Sequence, residues 1–271
     1  MKRPLFLPQA VLLALVAAGC VNGPQGRDTL PMAGGYSPVI EIPLHDPRGG
    51  ANSIDAALFE PEGAGPFPAV VVLSGCGGTG DDVEIVKRLN ASYLPMGVAT
   101  LVIDSFTTRQ VRDACTNPNT VSPHRRAEDT YEALAWLSAR PEIDAKHVFI
   151  QGYSHGASAA IDAISEKTAN QYSRKFAGVV AFYPYCMPGT RFSVPTIILS
   201  GEMDDWTPAS RCLPLAGQPN VEVTVYPGAW HAFATPGLDQ VTLGHRAAYQ
   251  EAAATDGQRR AAALISAALK K

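Results

Sequence analysis

Apolar residues along this chain fall into two alternating rhythms. Short continuous runs such as Pro68-Ala69-Val70-Val71-Val72-Leu73, Val148-Phe149-Ile150 and Pro195-Thr196-Ile197-Ile198-Leu199-Ser200 are rich in β-branched side chains and end at Gly, Ser or Asp. Runs of that length and composition read as buried strands. Between them lie longer stretches with large apolar residues at helical spacing. In 125–137 these are Tyr131, Leu134 and Leu137, expected to pack into a core, with Arg125, Arg126, Glu128 and Asp129 on a solvated face. The pattern predicts strands near 38–45, 54–60, 69–74, 98–103, 147–151, 177–182, 195–200 and 221–226, and helices near 82–94, 123–139, 155–169, 208–216 and 257–269. The first two strands precede any helix and are expected to pair antiparallel at one edge. Later strands alternate with helices, which predicts an α/β fold: a mostly parallel central sheet of about eight strands flanked by helices on both faces.

Three ends of these predicted strands carry chemistry. Gly152-Tyr153-Ser154-His155-Gly156 stands between the strand ending near 151 and the small-residue helix Ala157-Ser158-Ala159-Ala160-Ile161. A Gly-x-Ser-x-Gly in that setting is a nucleophile elbow, a turn so sharp that the positions two before and two after the Ser have no room for a side chain. The strand 195–200 runs into Gly201-Glu202-Met203-Asp204-Asp205-Trp206-Thr207-Pro208, and the strand 221–226 into Pro227-Gly228-Ala229-Trp230-His231. Carboxylate and imidazole thus follow the Ser in the chain order Ser, Asp, His. A Ser hydroxyl is a poor nucleophile unless an imidazole takes its proton, and the imidazole needs a carboxylate to fix its tautomer. Ser154, Asp204 and His231 are therefore the candidate catalytic residues, with Asp205 as the alternative acid. Of the six histidines, His231 alone lies on a turn after a late strand and downstream of the acid. The negative oxygen of an acyl-transfer intermediate needs N–H donors. The residue after the nucleophile, His155, supplies one through its backbone. Cys76 N–H in Ser74-Gly75-Cys76-Gly77-Gly78, after the strand 69–74, is the second candidate and Gly77 the next. No Lys follows these glycines, as a phosphate-binding loop requires.

Taken together, the 74–78 loop, Asp104-Ser105-Phe106 with Arg109, the Gly152–Gly156 motif, the Gly201–Pro208 segment and Tyr226-Pro227-Gly228 with His231 make the chain resemble the dienelactone hydrolase branch of the α/β-hydrolases. The resemblance runs from about residue 36 to the C-terminus and implies the α/β-hydrolase fold. The Gly-x-x-Asp-x-x-x-Pro spacing associated with that superfamily selects Asp204. Two departures stand out: dienelactone hydrolases proper use a Cys nucleophile where this chain has Ser154, and Ser74 stands where a His is common. The resemblance implies a serine hydrolase cleaving carboxylic esters of small molecules through an acyl-enzyme, without cofactor or metal. A prolyl-oligopeptidase-like peptidase and a catalytically silent envelope binding protein are the alternatives. Arg109 has two readings, contact with a substrate carboxylate or a surface salt bridge. Trp206 and Trp230 are candidates to line an acyl pocket.

The N-terminus changes the expected compartment. Lys2 and Arg3 precede a mostly apolar stretch from Leu5 to Ala18, then Gly19-Cys20, which reads as a bacterial export signal over 1–20 with a lipobox-like end. The stretch is short of the roughly 20 residues that span a bilayer. Lipidation of Cys20 is expected, with cleavage near Ala18 as the alternative, and the Gly- and Pro-rich segment 21–36 is expected to act as a tether for a catalytic domain over 37–271. Export suits the other four cysteines as two disulfides; four cysteines allow three connectivities, among which the sequence alone does not choose, and Cys76 with Cys115 and Cys186 with Cys212 are the favoured pairs because each follows neighbouring strands. No Cys-x-x-Cys or His-x-x-x-His spacing points to a metal. With a net charge of -3 and no basic stripe, nucleic acid is excluded as a partner, and membrane contact is expected only through the lipid.

Overall fold

The computed structural model describes residues 29–32, 35–45 and 50–270. The expected export signal and Cys20 lie outside the described residues. In the segment expected as a tether, β1 (Thr29–Met32) pairs antiparallel with β2 (Gly35–Pro38).

An eight-stranded sheet forms the centre of the molecule. Its strands are β3 (Ile40–Pro43), β4 (Ser53–Phe59), β5 (Phe67–Leu73), β6 (Ala99–Asp104), β7 (Ile143–Tyr153), β8 (Gly178–Phe182), β9 (Thr196–Gly201) and β10 (Val221–Tyr226), one for each run read from the sequence. They lie in the order β10-β9-β8-β7-β5-β6-β4-β3. β3 and β4 pair antiparallel at one edge, as expected, and β4, antiparallel also to β6, is the one strand of the sheet that runs against the others. From β5 the chain first moves outward to β6, then crosses back to β7 on the other side. The order reverses between β5 and β7, which is where sheets of this type place their binding crevice.

Period-2 alternation splits the sheet into two apolar faces. Ala69, Val71 and Leu73 of β5 face one way, under α2 (Pro123–Ser138) and α3 (His155–Ala163). Val70 and Val72 face the other, under α1 (Val83–Tyr93) and α5 (Glu251–Ala268). Helix α2 begins where the sequence puts it because Ser122 accepts a hydrogen bond from Arg125 N–H at 3.2 Å and Pro123 fills the first position. Tyr131, Leu134 and Leu137 are buried, as their spacing predicts.

Four expectations are corrected. The helix read over 155–169 breaks after Ala163, because Ser165 caps a separate short helix, α4 (Glu166–Ala169), accepting from Thr168 N–H. The helix read over 208–216 is instead two 3-10 turns, Ala209–Arg211 and Leu213–Leu215, consistent with Pro214 having no N–H to continue a helix. The last helix starts at Glu251, not 257. Gly257 lies inside it because α5 packs so closely on β8 that a Cβ there would sit 2.7 Å from the Phe182 ring. Finally, β11 (Asp239–Thr242) and β12 (His245–Ala248) form a hairpin where no strands were expected, turned by Leu243 and Gly244 at φ 53° and 87°.

Candidate active site

Three loops meet at the C-terminal edge of the sheet, around the reversal between β5 and β7. Ser154 follows β7 and occupies the cap of α3 with φ 50° and ψ −116°. A non-glycine residue held there costs on the order of 1–3 kcal/mol and persists only where its surroundings enforce it. Backbone crowding does so. A Cβ on Gly152 would lie 2.4 Å from Gly156 O, and one on Gly156 would lie 2.3 Å from Ser74 O. Only glycine fits either position, and α3 starts in direct contact with the end of β5.

The Ser154 hydroxyl lies 2.9 Å from His231 Nε2, and His231 Nδ1 lies 2.8 Å from Asp204 Oδ2. Both Asp204 and His231 are buried. Asp204 Oδ1 accepts from the backbone N–H groups of Trp206 at 2.9 Å and Thr207 at 2.8 Å, while Oδ2 accepts from the Thr207 hydroxyl at 2.8 Å. Burial alone would raise its pKa, but the His231 and Thr207 bonds outweigh it and hold the carboxyl below its ordinary value. Asp205 turns away, to His245 Nδ1 at 3.1 Å. Gly201 lets the acid loop and the base loop touch backbone to backbone, since a Cβ there would lie 2.4 Å from Ala229 O. The hairpin steadies the base loop from behind: Ala248 N–H donates to His231 O at 3.0 Å. Rings of Tyr183 and Trp206 pack on the imidazole, each with its centroid 5.0 Å away.

Ser154 opens onto a cavity of about 630 Å³. Cys76 and His155 line it with Ser154, whereas Gly77 does not. His155 N–H stands at the first position of α3, where no preceding helical carbonyl can accept it. The neighbouring Gly75 N–H is taken by Asp82 Oδ2 at 2.8 Å. Burial, the largest influence on Asp82, raises its pKa to about 6, with Asp81 adding to this and Gly75 and Arg126 opposing. Disulfides join Cys76 to Cys115 and Cys186 to Cys212. Cys115 lines one wall, and Tyr185 and Met187 beside Cys186 line another, so each bridge anchors part of the cavity. Trp206 lines the cavity; Trp230 instead lies under the Arg246 guanidinium at 5.3 Å. Among the described residues no group of three or more His, Cys, Asp or Glu is placed to hold a metal ion.

The structure corrects the readings of three charged positions. Arg109 is neither a substrate contact nor a surface ion pair: its side chain is 3% exposed and makes a two-pronged pair with fully buried Asp129 at 2.7 and 2.8 Å. Arg126 and Asp129, read as part of a solvated face, are both 0% exposed. The His155 ring, passed over in favour of its N–H, is held between Arg126 Nη1 and the Pro118 carbonyl, each at 2.9 Å. Burial first and the Arg126 charge second lower its pKa to about 4. Thr207 was missed altogether, although an Asp followed three residues later by Thr is a recognisable turn signal.

A model of the dienelactone hydrolase family matches residues 54–269. No curated protein matches the chain. Among solved structures, a dienelactone hydrolase-like promiscuous phosphotriesterase from metagenomic libraries is similar at 20% identity and TM-score 0.68, covering 84% of this chain and 97% of that one. A thermophilic esterase from the Planctomycetes species Thermogutta terrifontis, with butyrate bound, is similar at 14% identity and TM-score 0.61, covering 85% and 93%. At these identities the structural likeness speaks for the fold, while the family match spans most of the chain. The chain belongs to the dienelactone hydrolase family, hydrolases of the α/β-hydrolase fold.

Proposed function

We propose that this hydrolase cleaves carboxylic esters of small molecules through an acyl-enzyme on Ser154, with His231 as base and Asp204 as its orienting carboxylate. One observation carries the reading: the unbroken chain of contacts from Ser154 Oγ to His231 Nε2 at 2.9 Å and from His231 Nδ1 to Asp204 Oδ2 at 2.8 Å. Asp204 accepts a hydrogen bond from Nδ1–H, so Nε2 keeps its lone pair and faces the Ser154 hydroxyl.

In the proposed cycle Ser154 Oγ adds to the ester carbonyl as its proton passes to His231 Nε2. Asp204 stabilises the imidazolium that forms. The carbonyl oxygen becomes an oxyanion, received by the N–H groups of His155 and Cys76. Collapse breaks the bond to the alcohol, which leaves with the proton from His231. Water then adds to the acyl-Ser154 ester by the same route, releasing the carboxylic acid and restoring the hydroxyl. Every step uses protein groups and water, so the cycle needs no cofactor. The open cavity with Tyr185, Met187 and Trp206 on its walls suits an apolar acyl or alcohol group.

An exported form tethered through Cys20 is part of the proposal. Its support is the lipobox-like sequence and two disulfides, which persist in oxidising compartments. The test of the activity is hydrolysis of short and long p-nitrophenyl esters by the protein and by Ser154→Ala. Turnover lost in the variant supports the reading, and equal rates reject it.

A further inference from the structure

Arg126 heads the fully buried side chains by volume, with 0% exposure. Burying a guanidinium is strongly unfavourable unless its donors are satisfied. Elsewhere in the same core the solution is a carboxylate: Asp129, one turn along α2, pairs with Arg109. Arg126 does otherwise. Its Nη2 donates to the Ser74 carbonyl at 2.9 Å and to the Ser74 hydroxyl at 3.2 Å, and its Nη1 reaches His155 Nδ1 at 2.9 Å. The Phe106 ring covers its face at 4.7 Å. Burial, the largest influence, lowers its pKa to about 10, against the pull of Asp104, Asp129 and Asp82, so it stays charged at neutral pH.

Both partners belong to the segments that carry the oxyanion donors. Ser74 begins the loop that presents Cys76, and His155 is the residue after the nucleophile. An arginine can only donate, so His155 Nδ1 accepts and the ring proton sits on Nε2, which donates to Pro118 O at 2.9 Å. One guanidinium therefore ties together the loop after β5, the start of α3 and, through the imidazole, the cavity wall at Pro118.

We infer that Arg126 is the positioning residue of the oxyanion site, fixing the spacing between the Cys76 and His155 N–H groups by holding Ser74 and the His155 ring at once. The inference rests on the serine hydrolase reading above. Oxyanion donors work only when held at about 2.7–3.1 Å from the developing charge, so loosening them weakens transition-state binding and leaves substrate binding nearly intact.

The test compares the protein with Arg126→Gln, Arg126→Lys and Ser154→Ala, using p-nitrophenyl butyrate and a trifluoromethyl ketone. The ketone adds Ser154 Oγ to form a hemiketal oxyanion. For Arg126→Gln, kcat is expected to fall about 10- to 100-fold per folded molecule, with KM within about threefold and ketone affinity falling in parallel with kcat/KM. Arg126→Lys keeps the charge but cannot span both segments, and is expected to show a smaller loss with the same split. It also carries the test should the Gln variant not fold. Unchanged ketone affinity and kcat per folded molecule would overturn the inference, as would a rise in KM alone. A protein no faster than Ser154→Ala removes the hydrolase reading and this inference with it. Activity lost in Ser154→Ala but kept in both Arg126 variants removes this inference only.

Discussion

Asp104 and Asp204 close two copies of one turn. Asp104 is the last residue of β6 and Asp204 lies three residues past the end of β9, and each is followed by an aromatic residue at the second position and Thr at the third. Asp104 Oδ1 accepts from the N–H groups of Phe106 at 2.7 Å and Thr107 at 3.2 Å, and its Oδ2 from the Thr107 hydroxyl at 2.6 Å. Asp204 makes the same three bonds with Trp206 and Thr207. The difference is a fourth partner. Asp204 Oδ2 also meets His231, delivered by the turn after β10, whereas Asp104 faces the buried guanidinium of Arg126 through space. The turn is a local device beyond a strand's C-terminal end, and what gathers around its second oxygen decides whether it orients a base or balances a charge.

Replacing each aspartate by Asn separates these roles most sharply. Asp204→Asn is expected to lower kcat by about 10³- to 10⁴-fold, since an amide in that place no longer fixes the imidazole tautomer. Asp104→Asn is expected to leave the hydrolysis rate within about threefold but to cost about 1–2 kcal/mol of folding stability through weakened hydrogen bonds. Rates on p-nitrophenyl esters and urea unfolding measure the two. Comparable rate losses in both variants would break the comparison.

A third carboxylate sharpens it by pH. Asp204 lies below its ordinary pKa of 3.8, so its contribution to stability is present above about pH 4 and is lost as pH falls through the folded value. Asp82 is the reverse case, raised to about 6 by burial. Between pH 4 and 6 the folded protein keeps a proton that the unfolded chain has released, so this group makes stability fall as pH rises. Asp82→Asn keeps an acceptor for Gly75 N–H and is expected to remove that fall. The variant should match the parent near pH 4 and exceed it by about 1–3 kcal/mol at pH 7. A constant difference across that range would show that the Asp82 charge is not strained.

The sheet was legible because its central strands are short apolar runs rich in β-branched residues and bounded by turn residues, and because glycines mark where loops must touch. Gly152, Gly156 and Gly201 stand where a Cβ would collide with backbone. What stayed hidden depends on burial that spacing does not reveal. Arg125 and Arg126 are adjacent and alike in sequence, yet Arg126 is sealed in the core while Arg125 pairs with Glu128 near the surface. Arg109 and Asp129 lie 20 positions apart and find each other only through the fold. The β11–β12 hairpin is polar and partly exposed, so nothing in its pattern rises above that of a loop until the Leu243-Gly244 turn is seen. His245, read from a polar segment, becomes part of that hairpin and stacks on Trp206 at 5.1 Å.

The most direct test is to mix the protein with p-nitrophenyl butyrate, quench in acid within the first turnover and find by mass spectrometry which peptide carries the acyl group. A butyryl group on Ser154, absent from Ser154→Ala along with turnover, is the expected result. Hydrolysis that proceeds with no acyl group on Ser154, or that continues undiminished in Ser154→Ala, would contradict the account.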